Sequence, residues 1–225
     1  MTTVIKFNKE GDGFLVDCWA DGGHACAFYF RNDLPPAKYK ATGLSELHKR
    51  CLAIYDSLPH KNYKVWTDNL CTSYPFIVAS LKYPAHVMVE GACRKGKRGF
   101  PDCIKQEEVP AHKKRELAEV VGTLKAAVTY PEEYPEHAVI SVSLYDKKPV
   151  YLMSSAATSV KWTKKIKKVW TGEETNSVEF FRLDMIDSYN HNMGSVDIAD
   201  QLRNSYRFDT WMRLAKWWWP IFFWG

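Results

Sequence analysis

The sequence predicts a mixed α/β fold, and three observations carry that expectation. Short runs rich in β-branched and aromatic residues, such as Val139–Tyr145 and Val150–Ser154, are bounded by turn residues. Elsewhere Leu47, Cys51, Ile54, Tyr55 and Leu58 recur at helical spacing. Hydrophobic residues make up 46% of the chain and charged residues 25%, a balance that supports a packed core and argues against disorder. The 225 residues suffice for one substantial core, or for one domain and part of another.

Element by element, Phe14–Trp19 and Ala25–Phe30 read as strands around the turn Asp21-Gly22-Gly23, a β-hairpin. Ser45 is placed to cap a helix that runs to about Leu58. This hairpin and helix, over residues 1–60, lead into a core over 61–225. Lys64–Thr67 is a short strand ending at Asp68. A helix from about Thr72 to Leu81 is stopped by Pro84, and His86–Glu90 is the next strand. The loop Arg94-Lys95-Gly96-Lys97-Arg98-Gly99 is strongly basic. Residues 110–136, polar and punctuated by proline, read as a surface excursion. Val139–Tyr145 and Val150–Ser154 flank the turn Asp146-Lys147-Lys148-Pro149 and form the clearest hairpin. Lys161–Lys168 is heavily basic, Asp187–Arg203 leads into a helix, and a last helix begins near Thr210.

Composition narrows the function classes only a little. The net charge of +5 is weak support for a nucleic-acid partner. Six cysteines lack C-x-x-C spacing, which disfavours a zinc site, and the N-terminus lacks a secretory apolar run, so the thiols read as reduced. No stretch of 18 apolar residues would span a bilayer, so no membrane partner is expected. The run Trp217–Trp224 is too apolar to face water, so the chain reads as cut or decayed within a truncated C-terminal helix. Its tryptophans Trp217, Trp218 and Trp219 read as core or interface residues, with stacking on an extruded base as the alternative.

The carboxylates are the candidate chemistry. Asp68 follows a strand end, where open α/β sheets place their ligands, and it is equally placed to cap the helix that follows. Asp197 and Asp200, three apart, share one face of a helix, where a cation would relieve their repulsion. Acids in a first helical turn also complement the helix dipole without any ligand.

Three blocks in order resemble the piggyBac transposase family: Asp68-Asn69-Leu70-Cys71-Thr72-Ser73, the strand Val150–Ser155 after its D-K-K-P turn, and Tyr189-Asn190 through Met193-Gly194-Ser195-Val196-Asp197-Ile198-Ala199-Asp200-Gln201. Arg213–Trp218 and, loosely, Arg94–Pro101 resemble further stretches of that family. The resemblance spans roughly residues 64–225, and its third block is the most specific. It implies an RNase H-like core, a mixed sheet flanked by helices, and a DDE/D mechanism. There, carboxylates hold two Mg²⁺ ions, one activating a nucleophile and one stabilising the leaving oxygen. Asp68, Asp197 and Asp200 would be the metal-binding, catalytic acids. Arg94, Lys95, Lys97 and Arg98, with Lys164, Lys165, Lys167 and Lys168, would contact phosphates of transposon-end DNA. A nucleus-located protein, and a homodimer, belong to the same expectation. For the second basic run, a solvated face remains the alternative.

One departure bears on activity. The family's second acid should follow Ser154-Ser155, yet the chain reads Ala156-Ala157-Thr158-Ser159, placing the missing carboxylate at about Thr158 or Ser159. Asp146 lies at the opposite end of the strand, and five strand residues at ~3.3 Å put it roughly 16 Å away. Asp184 or Asp187 could be recruited, although no spacing demands it. The expectation is a transposase-derived domain with impaired two-metal chemistry. The alternatives are an active nuclease with an unrecognised acid, or a domesticated, non-catalytic DNA- or protein-binding module.

Overall fold

A computed structural model describes residues 16–21, 24–30, 38–39, 43–59, 62–82, 86–110, 113, 116–157, 161–170 and 174–205. The described chain divides into two compact units, one formed by Met1–Pro59 with Asn192–Gly225 and the other by His60–His191.

In the first unit, β1 (Val16–Asp21) and β2 (His24–Phe30) form an antiparallel hairpin, as the turn chemistry predicts. Helix α1 (Glu46–Asp56) begins where the sequence places its cap: the Ser45 side chain accepts from the His48 backbone amide at 3.3 Å. The helix buries Leu52, Ile54 and Tyr55.

The second unit is built on a five-stranded mixed sheet of β3 (Lys64–Thr67), β4 (Met88–Cys93), β5 (Leu124–Thr129), β6 (Val139–Tyr145) and β7 (Pro149–Ser154). Its spatial order is β3-β4-β7-β6-β5, with β3 and β4 parallel and the other neighbours antiparallel. A parallel pair needs a crossover, and α2 (Tyr74–Lys82) supplies it. The predicted β6–β7 hairpin forms, and its register sets Leu144 opposite Val150 and Tyr145 opposite Pro149, so Pro149 belongs to the strand and not to the turn.

Helix α4 (Asp184–Asn192) covers one face of this sheet. Ile140, Val142, Leu144 and Leu152 from the strands pack with Met185, Ile186 and Tyr189 from the helix. On the opposite face, Gln106 bonds through Nε2 to the hydroxyl of Ser143 at 2.7 Å and to its carbonyl at 3.0 Å. There too Phe100 meets the Tyr151 ring edge-on, with centroids 5.2 Å apart.

The structure departs from the sequence reading in four places. Within the predicted excursion 110–136 it places a short helix, α3 (Leu117–Val120), and the edge strand β5. Lys125-Ala126-Ala127 has little intrinsic strand preference, so pairing with β6 imposes the strand. The basic run is the first half of an antiparallel ribbon, β8 (Trp162–Trp170) with β9 (Thr175–Leu183). The stretch 187–203, expected to lead into a helix, holds parts of two, α4 and α5 (Ser195–Ser205), interrupted at Met193-Gly194, because glycine disfavours a helix interior. Helix α2 starts at Tyr74 rather than near Thr72, since Asp68–Cys71 closes a separate turn. The expected helix near Thr210, the tryptophans 217–219, and Thr158 and Ser159 lie outside the described residues. Among the described residues, no helix is long and apolar enough to cross a membrane.

Candidate functional site

Asp68 stands exposed at the C-terminal end of β3. Its Oδ1 accepts backbone amides from Leu70 at 2.9 Å and Cys71 at 3.2 Å, and its carbonyl accepts the Thr72 amide at 3.1 Å and hydroxyl at 2.8 Å. It therefore caps its own turn and not α2, whose first bond runs from the Ile77 amide to the Ser73 carbonyl. Oδ2 has no hydrogen-bond partner among the described residues, so one oxygen of this carboxylate remains available to a ligand.

The turn is seated on β4. Thr67 and Thr72 share a hydroxyl–hydroxyl bond of 2.8 Å directly over Gly91. A Cβ at Gly91 would lie 2.2 Å from the Thr72 hydroxyl and 2.5 Å from the Thr67 carbonyl oxygen, so only glycine admits this approach.

The basic loop after β4 folds over the same turn. Arg94 Nη2 donates to Asn69 Oδ1 at 3.5 Å, and Lys97 Nζ donates to the Leu70 carbonyl at 2.7 Å. Gly99, at φ +79°, lets the loop close against Tyr74. Lys95 points its charge elsewhere, pairing with Glu107 at 2.6 Å; that bond raises the lysine pKa and lowers the glutamate's. Arg94 and Arg98 are exposed and have no ion-pair partner among the described residues.

Tyr189, the first residue of the third motif, is brought to the same rim by α4. Burial raises its pKa; a hydrogen bond to the Ala92 backbone opposes the rise, and the charge of Asp68 adds to it. The structure thus joins the first motif, the basic loop and the beginning of the third motif within one unit. Asp197 and Asp200 lie on α5 of the other unit, Asp197 exposed in its first turn.

At the end of β7, Ser154 ties the strand to β4. Ser154 Oγ donates to Glu90 Oε2 at 3.1 Å and accepts the amides of Ala156 and Ala157, both at 3.1 Å. Glu90 is fully buried on β4, paired in register with both Trp66 and Ser154. Its Oε1 accepts the Trp66 indole N–H at 3.0 Å, and Lys64 Nζ lies 3.3 Å from Oε2. Ser188 of α4 completes the cluster, accepting from Lys64 at 3.0 Å and from Trp66 at 3.3 Å. Sequence reasoning passed over Glu90; its signal was an acid inside the apolar run Val87-Met88-Val89-Glu90-Gly91-Ala92, where a charge needs a partner.

A two-Mg²⁺ centre needs several carboxylate oxygens free to face the ions. Among the described residues, Asp68 is exposed at the end of β3, whereas Glu90, inside the sheet, is sealed from solvent with both oxygens engaged. These residues by themselves do not fit the pair of ions.

The other acids weighed from sequence hold the β8–β9 ribbon in place. Asp146 pairs with Lys167, Asp187 with Arg182 at 3.0 Å and Lys165 at 3.6 Å, and Asp184 accepts from the Thr163 hydroxyl at 3.1 Å. Lys164 pairs with Glu179 at 2.6 Å. Of the four lysines expected on DNA in this ribbon, three are therefore matched by carboxylates, and Lys168 is exposed without such a match among the described residues.

The profile of a protein family described as Transposase IS4 matches residues 20–224. Among solved structures, the chain is similar to a piggyBac transposase synaptic complex with hairpin DNA, at a TM-score of 0.64 and 20% identity. That match covers 90% of this chain and 36% of the other, so this chain spans about a third of its relative's length. Among curated proteins, none matches. The family match over nearly the whole chain, the three ordered motifs and the shared fold agree: the chain belongs to the IS4 transposase family, and within it resembles the piggyBac-type transposases.

Proposed function

We propose that this chain is a DNA-binding piece of a piggyBac-type transposase, RNase H-like in its core, whose two-metal phosphoryl-transfer chemistry is impaired. The observation that carries the reading is the contrast between the C-terminal ends of β3 and β7, which point to opposite edges of the sheet because β3 runs parallel and β7 antiparallel to β4. At β3, Asp68 keeps an oxygen without a hydrogen-bond partner among the described residues, in a turn whose Asn69 accepts from Arg94. At β7, Ser154-Ser155-Ala156-Ala157 supplies no acid, and the nearby carboxylate, Glu90, is committed inside the sheet.

Arg94 and Arg98 bind phosphates as fixed, permanently charged forks, giving affinity without sequence readout. Lys97 orders the loop by holding the Leu70 carbonyl. Asp68 positions its turn through the amides of Leu70 and Cys71. In an intact relative, Mg²⁺ would supply nucleophile activation and charge stabilisation. Asp68, Asp197 and Asp200 are the residues of this chain that correspond to its ligands. DNA as partner is supported by the similar solved protein being a synaptic complex with hairpin DNA; a nuclear location and a homodimer belong to the proposal through the family resemblance alone.

The test is a cleavage and strand-joining assay on hairpin and nicked duplex DNA, with Mg²⁺ and with Mn²⁺, beside a binding titration. The expected result is salt-dependent binding without nicking or joining. Metal-dependent cleavage abolished by Asp68→Ala would overturn the impairment and mean that another acid completes the centre.

A further inference from the structure

We propose that the outer face of the β8–β9 ribbon is a stacking platform for single-stranded nucleic acid, a role that rests on the DNA-binding reading above and narrows it to unpaired bases. Side chains alternate across a strand, so Trp162, Lys164, Ile166, Lys168 and Trp170 share one face of β8. The register adds Phe181 to that face, opposite Lys164. The apolar members are unusually bare: Trp162 is 50% exposed, Ile166 68%, Trp170 56% and Phe181 59%. Large aromatics this exposed, in line on one surface, mark a binding face.

The ribbon is held as a firm support. Its inner face is anchored by Val169, buried with Val121 and Tyr145, and by Phe180 against the α4 core. Gly122, at φ +87°, makes room for Phe180, whose Cβ would lie 2.3 Å from any Cβ placed there. The inner cations Lys165, Lys167 and Arg182 are tied to Asp187 and Asp146.

Charge accounting selects the occupant. On the outer face Lys164 is neutralised by Glu179, which leaves Lys168 as that face's unmatched cation among the described residues, with Lys161 exposed just before the strand. Two phosphate contacts give too little affinity for a ribbon seated on duplex DNA by charge. Duplex bases are stacked on one another and hide their faces, whereas unpaired bases present them. Exposed tryptophans interleaved with a few lysines fit a strand whose bases stack on the rings while its phosphates meet the cations.

The experiment uses the full chain and two fluorescent probes, oligothymidylate of about 12 nucleotides and a duplex of mixed sequence, titrated in parallel by anisotropy. Trp162→Leu and Trp170→Leu keep apolar bulk without an indole, and Trp170→Phe restores a ring. Each leucine variant is expected to lose about tenfold in single-strand affinity. Trp170→Phe should recover most of it, and duplex affinity should hold. The single-strand salt slope should be shallow, about −1.4 for two phosphates. Duplex binding with single-strand binding absent, or unchanged by the leucine variants, overturns this inference and leaves the DNA-binding reading standing. Equal losses on both probes overturn the single-strand assignment. A change in sedimentation with unchanged single-strand affinity makes the face an interface between copies and likewise overturns it. Binding of neither probe overturns both readings.

Discussion

The Thr72 hydroxyl rests against the bare α-carbon of Gly91, so closely that a Cβ there would lie 2.2 Å away. Through this contact the turn carrying Asp68 is fixed to the neighbouring strand, because Thr72 also holds the Asp68 carbonyl at 2.8 Å. Gly91→Ala should therefore destabilise the chain by about 3 kcal/mol, the upper range for an overpacked core position. Thr72→Ala in the same chain should relieve the clash only partly, since the Thr67 carbonyl stays 2.5 Å from the new Cβ. Urea denaturation of the single and double variants measures both effects, and a neutral Gly91→Ala would contradict the packing described.

The Lys64–Glu90 pair gives a second prediction. Glu90 is fully buried while the Lys64 side chain is 31% exposed, so losing the cation is worse than losing the anion's charge. Lys64→Met leaves an unpaired buried carboxylate and should cost about 3 kcal/mol or more. Glu90→Gln keeps an acceptor for the Trp66 indole, loses the one for the Ser154 hydroxyl, and should cost about 1 kcal/mol. The double variant should be more stable than Lys64→Met alone. If it is less stable, the two residues do not compensate each other.

Cys93 makes stability depend on pH in the alkaline range. Burial pushes its thiol from 9.0 up to about 12, with the Lys97 charge opposing the rise. The folded state thus favours the protonated thiol. The associated stabilisation is complete below about pH 9, where the unfolded thiol is still protonated, and is lost as pH climbs to about 12. Cys93→Ala should flatten that part of the stability curve, followed by thermal melts between pH 8 and pH 12. At pH 8 the exposed thiols of Cys26 and Cys103 should react with a disulfide reagent in the native protein while Cys93 does not.

Arg94 and Arg98, which have no ion-pair partner among the described residues, predict a salt signature. Arg94→Ala with Arg98→Ala should make the slope of log K against log salt on duplex DNA shallower by about 1.8, because two phosphates are no longer neutralised. Lys95→Ala should change it far less, because Lys95 is already paired with Glu107. An equal effect from Lys95 would show that ion pair to be open in solution.

The sequence by itself determined the elements whose signals are local. Ser45 marks the start of α1, the turn around Asp21 sets the first hairpin, and the D-K-K-P segment marks the β6–β7 hairpin. The order of the three motifs was enough to name the family, later matched over residues 20–224. Tertiary structure decided what depends on distant partners. Lys125–Ala127 becomes strand because β6 offers a ladder, and the lysines from 164 to 168 divide into two faces because Glu179, Asp146 and Asp187 lie beside the ribbon. Glu90 and Ser154 are 64 residues apart, and no local spacing announces their bond. A helix cap or a turn is a preference of a few consecutive residues, whereas a buried charge or an edge strand is stabilised only when the fold delivers its partner.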